Sequence, residues 1–178
     1  YRFVDVGYSY RATELEGALG LAALDDYPKR LKRRQAIAAR FSQGFADLEH
    51  LIQLPKIRPE TEHAFMMYPI VVRDPSSPKG YEGAGGDMSR DDLVNFLESR
   101  PRPIETRQML PLTNQPIYQK LFGEDLETKF PVARWINTHG FYIGCHPELT
   151  DAEVDYMIAM IHEFCAPYRL AKSKVKEY

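Results

Sequence analysis

Several features that would settle the class of this protein at once are scarce in its sequence. The 178 residues contain two cysteines, Cys145 and Cys165, with no CxxC pair, which argues against a disulfide framework or a zinc ribbon. No apolar run reaches the roughly 18 residues that a membrane span needs. With thiols this few, a reducing compartment is expected, and the cytoplasm is the expected location. Charge of one sign is lacking too. The 23 Lys and Arg against 25 Asp and Glu leave a net charge of -2, so no global field recruits nucleic acid or an anionic membrane. The five histidines show neither HExxH nor a Cys/His spacing suited to zinc, and no metal is expected. An initiating Met is also absent. Tyr1 opens amid loop-like residues, and the chain is expected to be a piece of something longer.

What is present is ordinary globular composition, 44% hydrophobic and 27% charged, enough for one substantial core. Thr13 and Glu16 have the spacing of a capping box, which starts a helix at about Glu14. Leu15, Ala18, Leu19 and Ala22 then share one helical face, interrupted by Gly17 and Gly20. Each interior glycine costs on the order of 1 kcal/mol against Ala, so a neighbour is expected to pack closely there. Pro28 is expected to kink or break the helix, because it lacks an N–H and its ring collides with the preceding turn. Beyond it, Leu31, Ala38, Phe41, Phe45 and Leu48 mark a second apolar stripe running to about Asp47.

Strands are expected at "LIQLP" (51–55), "MMYPIVV" (66–72), "IETRQ" (104–108) and "FYIGC" (141–145). Pro69 inside the second suggests an edge or a bulge. Ser89 caps a helix carrying Leu93, Phe96 and Leu97, and "NQPIYQKLF" and "FPVARWINTH" read as two short helices. Thr150 and Glu153 form a second capping box before a helix that buries Val154, Met157, Ile158 and Ile161. Strands and helices interleave without regular βαβ spacing, so the fold class is α+β. The organisation expected is a loop and long kinked helix over 1–49, an α+β domain over 50–168, and a charged tail over 169–178.

Candidate chemistry is sparse. The basic run "KRLKRR" reads as the solvated face of an amphipathic helix rather than a phosphate site. "GYEGAGG" lacks the GK[ST] ending of a phosphate loop. Cys145 and His146 are adjacent in a strand and point to opposite faces, so they make no nucleophile pair. His146, before Pro147, sits at a strand exit as either a ligand contact or a packed ring. Trp135 reads as a helix packing residue. Arg107 emerges from a strand toward a ligand carboxylate or phosphate, or else toward a neighbouring acid. Ser9, Tyr10 and Arg11 precede a helix N-terminus, a place that favours an anion.

Four blocks, "GYSYRATELEGALGLAAL", "RRQAIAARF", "IETRQMLPLTNQPIY" and "GFYIGCHPELTDAEVDYM", occur in this order and resemble the DegT/DnrJ/EryC1/StrS family of sugar aminotransferases. The resemblance implies a fold type I enzyme that uses pyridoxal phosphate to move an amino group from an amino acid, usually glutamate, onto a nucleotide-linked keto sugar. It further implies that this chain is the C-terminal portion, a small and mostly antiparallel sheet packed with helices. The Schiff-base lysine would lie upstream of the block at Gly7, so the chain alone is expected to be inactive. Ser9 stands where the family usually has an Asn that reaches the cofactor phosphate of the partner subunit in a homodimer. Tyr10, Arg11, Arg107 and His146 become candidates for the nucleotide-sugar side. Relatives with this organisation that use pyridoxamine phosphate to remove a sugar hydroxyl are an alternative, and a dimerisation or binding module without enzymatic activity is another.

Overall fold

The computed structural model describes residues 12–83, 86–122 and 126–170. Six helices and four strands follow one another as α1 (Glu14–Gly44), β1 (Ile52–Gln53), β2 (Met67–Val72), α2 (Arg90–Glu98), β3 (Thr106–Gln108), α3 (Pro116–Phe122), α4 (Leu126–Lys129), α5 (Pro131–His139), β4 (Gly140–Gly144) and α6 (Asp151–Leu170). The strands form one antiparallel sheet in the order β1-β2-β4-β3. This is the expected α+β arrangement.

Alternation along the strands decides what faces the core. Tyr68, Ile70, Val72, Phe141 and Ile143 are buried in one cluster with Ile37, Ala38 and Phe41 of α1, Leu93 and Leu97 of α2, and Val154, Met157 and Ile161 of α6. Three helices therefore cover one face of the sheet, and the second half of α1 is part of the same core as the strands. Thr106 extends the buried row beside Ile143, and its hydroxyl is satisfied by donating to Glu98 Oε1 at 2.6 Å. Tyr68 is fully buried, and its hydroxyl pairs with Ser42 Oγ at 2.8 Å. Helix α1 lies close on α6 because residue 44 is glycine: a Cβ there would come within 2.6 Å of Ile158 Cδ1. Arg40 locks the same pair with a fork onto both carboxylate oxygens of Asp155, each at 2.7 Å.

Both capping boxes form as expected. Thr13 N donates to Glu16 Oε2 at 2.6 Å while Thr13 Oγ1 accepts the Glu16 N–H at 3.3 Å, and Thr150 with Glu153 repeats the motif at 2.8 and 3.2 Å. Three expectations need correction. Pro28 does not break the helix: α1 runs unbroken through it, and the carbonyl of Leu24 that loses its N–H partner lies on an exposed turn open to water. Pro69 lies in an interior strand, not an edge strand. Strand β1 reaches only Val71 and Val72, so opposite Pro69 that side of β2 carries no ladder bond for the missing N–H to remove. The third concerns the first stripe of α1. Leu15, Leu19 and Leu24 are 71%, 64% and 65% exposed, and a Cβ at Gly17 or Gly20 would meet nothing within 4 Å. The close neighbour expected at these glycines is absent among the described residues.

Candidate functional site

The strand pair β3–β4 places the two describable candidates near one rim. Register sets Arg107 beside Tyr142, on the face opposite the buried row of Thr106 and Ile143. The Arg107 guanidinium donates to Thr106 O at 3.2 Å and pairs with the carboxylate of Glu105, so both of its contacts are local and the side chain stays 63% exposed. His146 leaves the end of β4 exposed, with Nδ1 accepting the Glu148 N–H at 3.2 Å. Glu105 and His146 line the same cavity of about 280 Å³, between the start of β3 and α6. Its opposite wall carries Arg102, which pairs with Glu153 at 2.7 Å, and Tyr156, whose hydroxyl donates to Arg102 O at 2.9 Å. Arg107 thus reaches the rim of the His146 cavity through the acid it pairs with.

Such a cleft suits a polar, hydroxyl-rich ligand. Glu105 and Glu153 accept, Arg102 donates, and His146 Nε2 has no protein partner among the described residues. Ser9, Tyr10 and Arg11 lie outside the described residues.

The cysteines are not nucleophiles. Cys145 is buried with Sγ donating to Arg34 O at 3.4 Å, and burial pushes its thiol up to about 11. Burial likewise pushes Cys165 up to about 12. Among the described residues, no group of three or more His, Cys, Asp or Glu side chains is placed to hold a metal ion, and no helix is long and apolar enough to cross a membrane. Trp135 is buried against Tyr81, with ring centroids 4.9 Å apart, as a packing residue.

The basic run of α1 is only partly the solvated face expected. Arg33 donates to Leu149 O and to Asp151 Oδ1, the latter at 2.9 Å, and Arg34 Nη1 donates to the carbonyls of Phe65 and Met66 at 3.2 and 3.0 Å. A signal for this was in the sequence. Arg33 and Arg34 precede the core residues Ile37 and Ala38 by four positions, so they share the inward stripe. Phe65, gripped in this way, has φ +46, an unusual value for a residue other than glycine. Arg102, Glu105 and Tyr156 were missed altogether, since nothing in their local spacing announces a cavity that only the tertiary fold assembles.

A second polar junction lies at the other end of β4. His139 Nε2 meets Asp74 Oδ2 at 2.8 Å, while Asp74 Oδ1 accepts Ser76 N–H and Oγ–H, both at 2.8 Å. Burial raises the Asp74 carboxyl, but the hydrogen bonds from Ser76 and His139 outweigh it and hold the group below its usual range.

Comparison with known proteins places this geometry in context. A family model described as the DegT/DnrJ/EryC1/StrS aminotransferase family matches residues 1–162. The chain is 27% identical over 164 residues to a GDP-perosamine synthase of Caulobacter vibrioides, covering 92% of this chain and 40% of that protein. It is 28% identical over 170 residues to a dTDP-4-dehydro-2,6-dideoxy-D-glucose 3-dehydratase of Saccharopolyspora spinosa, covering 93% of this chain and 33% of that one. Among solved structures, a putative sugar aminotransferase, Spr1654, from Streptococcus pneumoniae in its PMP form superposes with TM-score 0.74 at 27% identity, over 94% of this chain and 39% of that chain. The chain spans between a third and two fifths of the length of the curated relatives it matches.

Proposed function

Since the chain belongs to the DegT/DnrJ/EryC1/StrS aminotransferase family, we propose that it is the C-terminal lobe of a pyridoxal phosphate enzyme that transfers an amino group, with glutamate as donor, to a nucleotide-linked keto sugar. The observation that carries the lobe reading is the first half of α1. The segment "GALGLAAL" at 17–24 has no polar side and is uncovered throughout. A helix that is apolar all round belongs in a protein interior, so this one is seated against a larger body and against a second subunit of a homodimer.

The described residues do not make a complete cofactor site. All six described lysines, at 29, 32, 56, 79, 120 and 129, are exposed, and none is enclosed as a Schiff-base amine must be. No chemical step is therefore assigned to this lobe, and the lysine is assigned to the preceding portion of the parent. When bound, the cofactor ring supplies the electron sink. The lobe's contribution is positioning. Arg107 exchanges its local Glu105 pairing for the anionic sugar nucleotide, with Arg11 and Tyr10 adjoining, and His146 holds a sugar hydroxyl. Ser9 donates to the cofactor phosphate across the subunit boundary, in the role the family gives to Asn.

The test is the parent protein, with the preceding portion restored. Pyridoxal absorbance and glutamate-dependent amination of a nucleotide-linked keto sugar are expected, and the absence of both overturns the reading. Arg107→Ala should raise KM for the sugar nucleotide and leave cofactor affinity unchanged, whereas Ser9→Ala should lower cofactor affinity. A second reading, removal of a sugar hydroxyl with pyridoxamine phosphate, is favoured by the dehydratase relatives. Formation of a deoxysugar without net amination distinguishes it.

A further inference from the structure

One stripe of α5, Pro131, Arg134, Trp135 and Thr138, lines a cavity of about 510 Å³ whose other wall is Ser76 and Pro78 of the loop after β2. His139, the last residue of α5, opens on the same space. At its rim three side chains stand in a row. Asp74 Oδ2 meets His139 Nε2 at 2.8 Å, and His139 Nδ1 meets Thr138 Oγ1 at 2.6 Å. Burial raises the Asp74 carboxyl, but hydrogen bonds from Ser76 and His139 outweigh it, and the group is ionised at neutral pH. A carboxylate only accepts, so the proton of the neutral imidazole sits on Nε2 and Nδ1 is left as an acceptor. The hydrogen between Nδ1 and Thr138 therefore belongs to the hydroxyl. Thr138 Oγ1 also lies 3.1 and 3.2 Å from the carbonyls of Arg134 and Trp135, the back-bond of a helical threonine, but the imidazole is its nearest partner. Thr138 is exposed, whereas the side chains of His139 and Asp74 are only 22% and 18% exposed. A reachable hydroxyl thus donates to a base whose tautomer is fixed by a sheltered carboxylate.

We propose that this cavity is a second reactive site, at which Thr138 takes the acyl group of a small carboxylic ester and passes it to water. The reaction is separate from amino transfer, to which the lobe contributes positioning only, and it uses none of the residues assigned to the sugar nucleotide. Thr138 Oγ1 attacks the ester carbonyl carbon while its proton passes to His139 Nδ1. The bond from that carbon to the alcohol oxygen breaks, the departing alcohol takes the proton, and the acyl group stays on Thr138. Water then attacks the same carbonyl and gives a proton to His139. The carboxylic acid departs as Thr138 Oγ1 recovers that proton. Negative charge on the carbonyl oxygen develops in a cavity to which Arg134, one turn before Thr138, brings a cation. Pro78, Pro131 and Trp135 give the cavity apolar walls, which suit the ester of an aromatic or otherwise apolar alcohol.

The test is hydrolysis of p-nitrophenyl acetate by the chain, read as release of p-nitrophenolate, with peptide mass spectrometry of the acid-quenched protein. Expected are repeated turnover, beyond one acetyl group per chain, and an acetyl adduct on Thr138. Thr138→Val and His139→Gln should each lower kcat/KM by about a hundredfold or more, while Thr138→Ser keeps it within about tenfold. Asp74→Asn should lower kcat by at least about tenfold with KM unchanged, because an amide no longer imposes the Nε2–H tautomer, and a loss of packing alone would not separate the two constants. Helical circular dichroism at the assay temperature checks that each variant is folded, and if Asp74→Asn is not, the Thr138 and His139 variants decide. Acetylation that stops at one group per chain, an adduct on another residue in place of Thr138, or turnover that Thr138→Val leaves intact overturns the site. No outcome involves the cofactor or the sugar nucleotide, so failure here leaves the aminotransferase reading standing, and the converse also holds.

Discussion

The two halves of α1 share one unbroken helix and differ in everything else. From Ile37 to Phe41 the helix buries its apolar side in the common core, and Arg33, Arg34 and Arg40 tie it to the segments on either side. From Leu15 to Leu24 it carries equally large apolar groups that are mostly exposed. Helix propensity and a capping box suffice to start a helix, but packing decides which part of it contributes to the stability of the domain. The first half thus stays outside the core formed by the described residues, and the second half anchors the helix to it.

The sharpest way to break this comparison is truncation in each half. Phe41→Ala should destabilise the chain by about 3–5 kcal/mol in urea unfolding, because it opens a cavity among Phe45, Tyr68 and the sheet. Leu19→Ala should change the same midpoint by less than about 0.5 kcal/mol. Equal losses would mean that the first half is covered even in the isolated chain.

Next in size is the acid response. The folded carboxyl of Asp74 is held low, so its contribution is complete above the unfolded pKa near 3.8 and is lost as pH falls through the folded value. Asp74→Asn should lower stability at neutral pH by about 1–3 kcal/mol and flatten the acid limb of the stability profile. Glu16 is lowered as well, by hydrogen bonds from the backbone and side chain of Thr13. Its protonation should open only the first turn of α1, seen as a loss of helical signal that precedes global unfolding.

The smallest effects sharpen the comparison most cleanly, because the two capping boxes are chemically alike. Thr150→Ala should cost about 1 kcal/mol of global stability, since α6 is packed into the core. Thr13→Ala removes the same cap from the uncovered end, so hydrogen exchange in the first turn should accelerate while the urea midpoint stays put. A shift of the midpoint by Thr13→Ala would show cooperative coupling between the halves.

Much of this was legible in the residues because it is local. The capping boxes, the four strands and the stripe Ala38, Phe41, Phe45 follow from spacing of a few positions. Long-range pairing was not legible: nothing near Pro69 says that β1 stops at the level of Val71, and nothing near Glu105 says that it shares a cavity with His146. The apolar spacing of Leu15 and Leu19 raised the expectation of a close neighbour that is absent among the described residues, because spacing along a helix carries no information on where its covering surface lies.

The clasp at Arg34 has a mechanical consequence. One guanidinium nitrogen holds the carbonyls of two successive residues where Phe65 takes its left-handed turn, and Arg33 grips a different loop from the neighbouring position. Together they key α1 like a shaft in a slot, setting its rotation about its own axis. The direction in which the exposed leucines face is therefore set by arginines about four turns away.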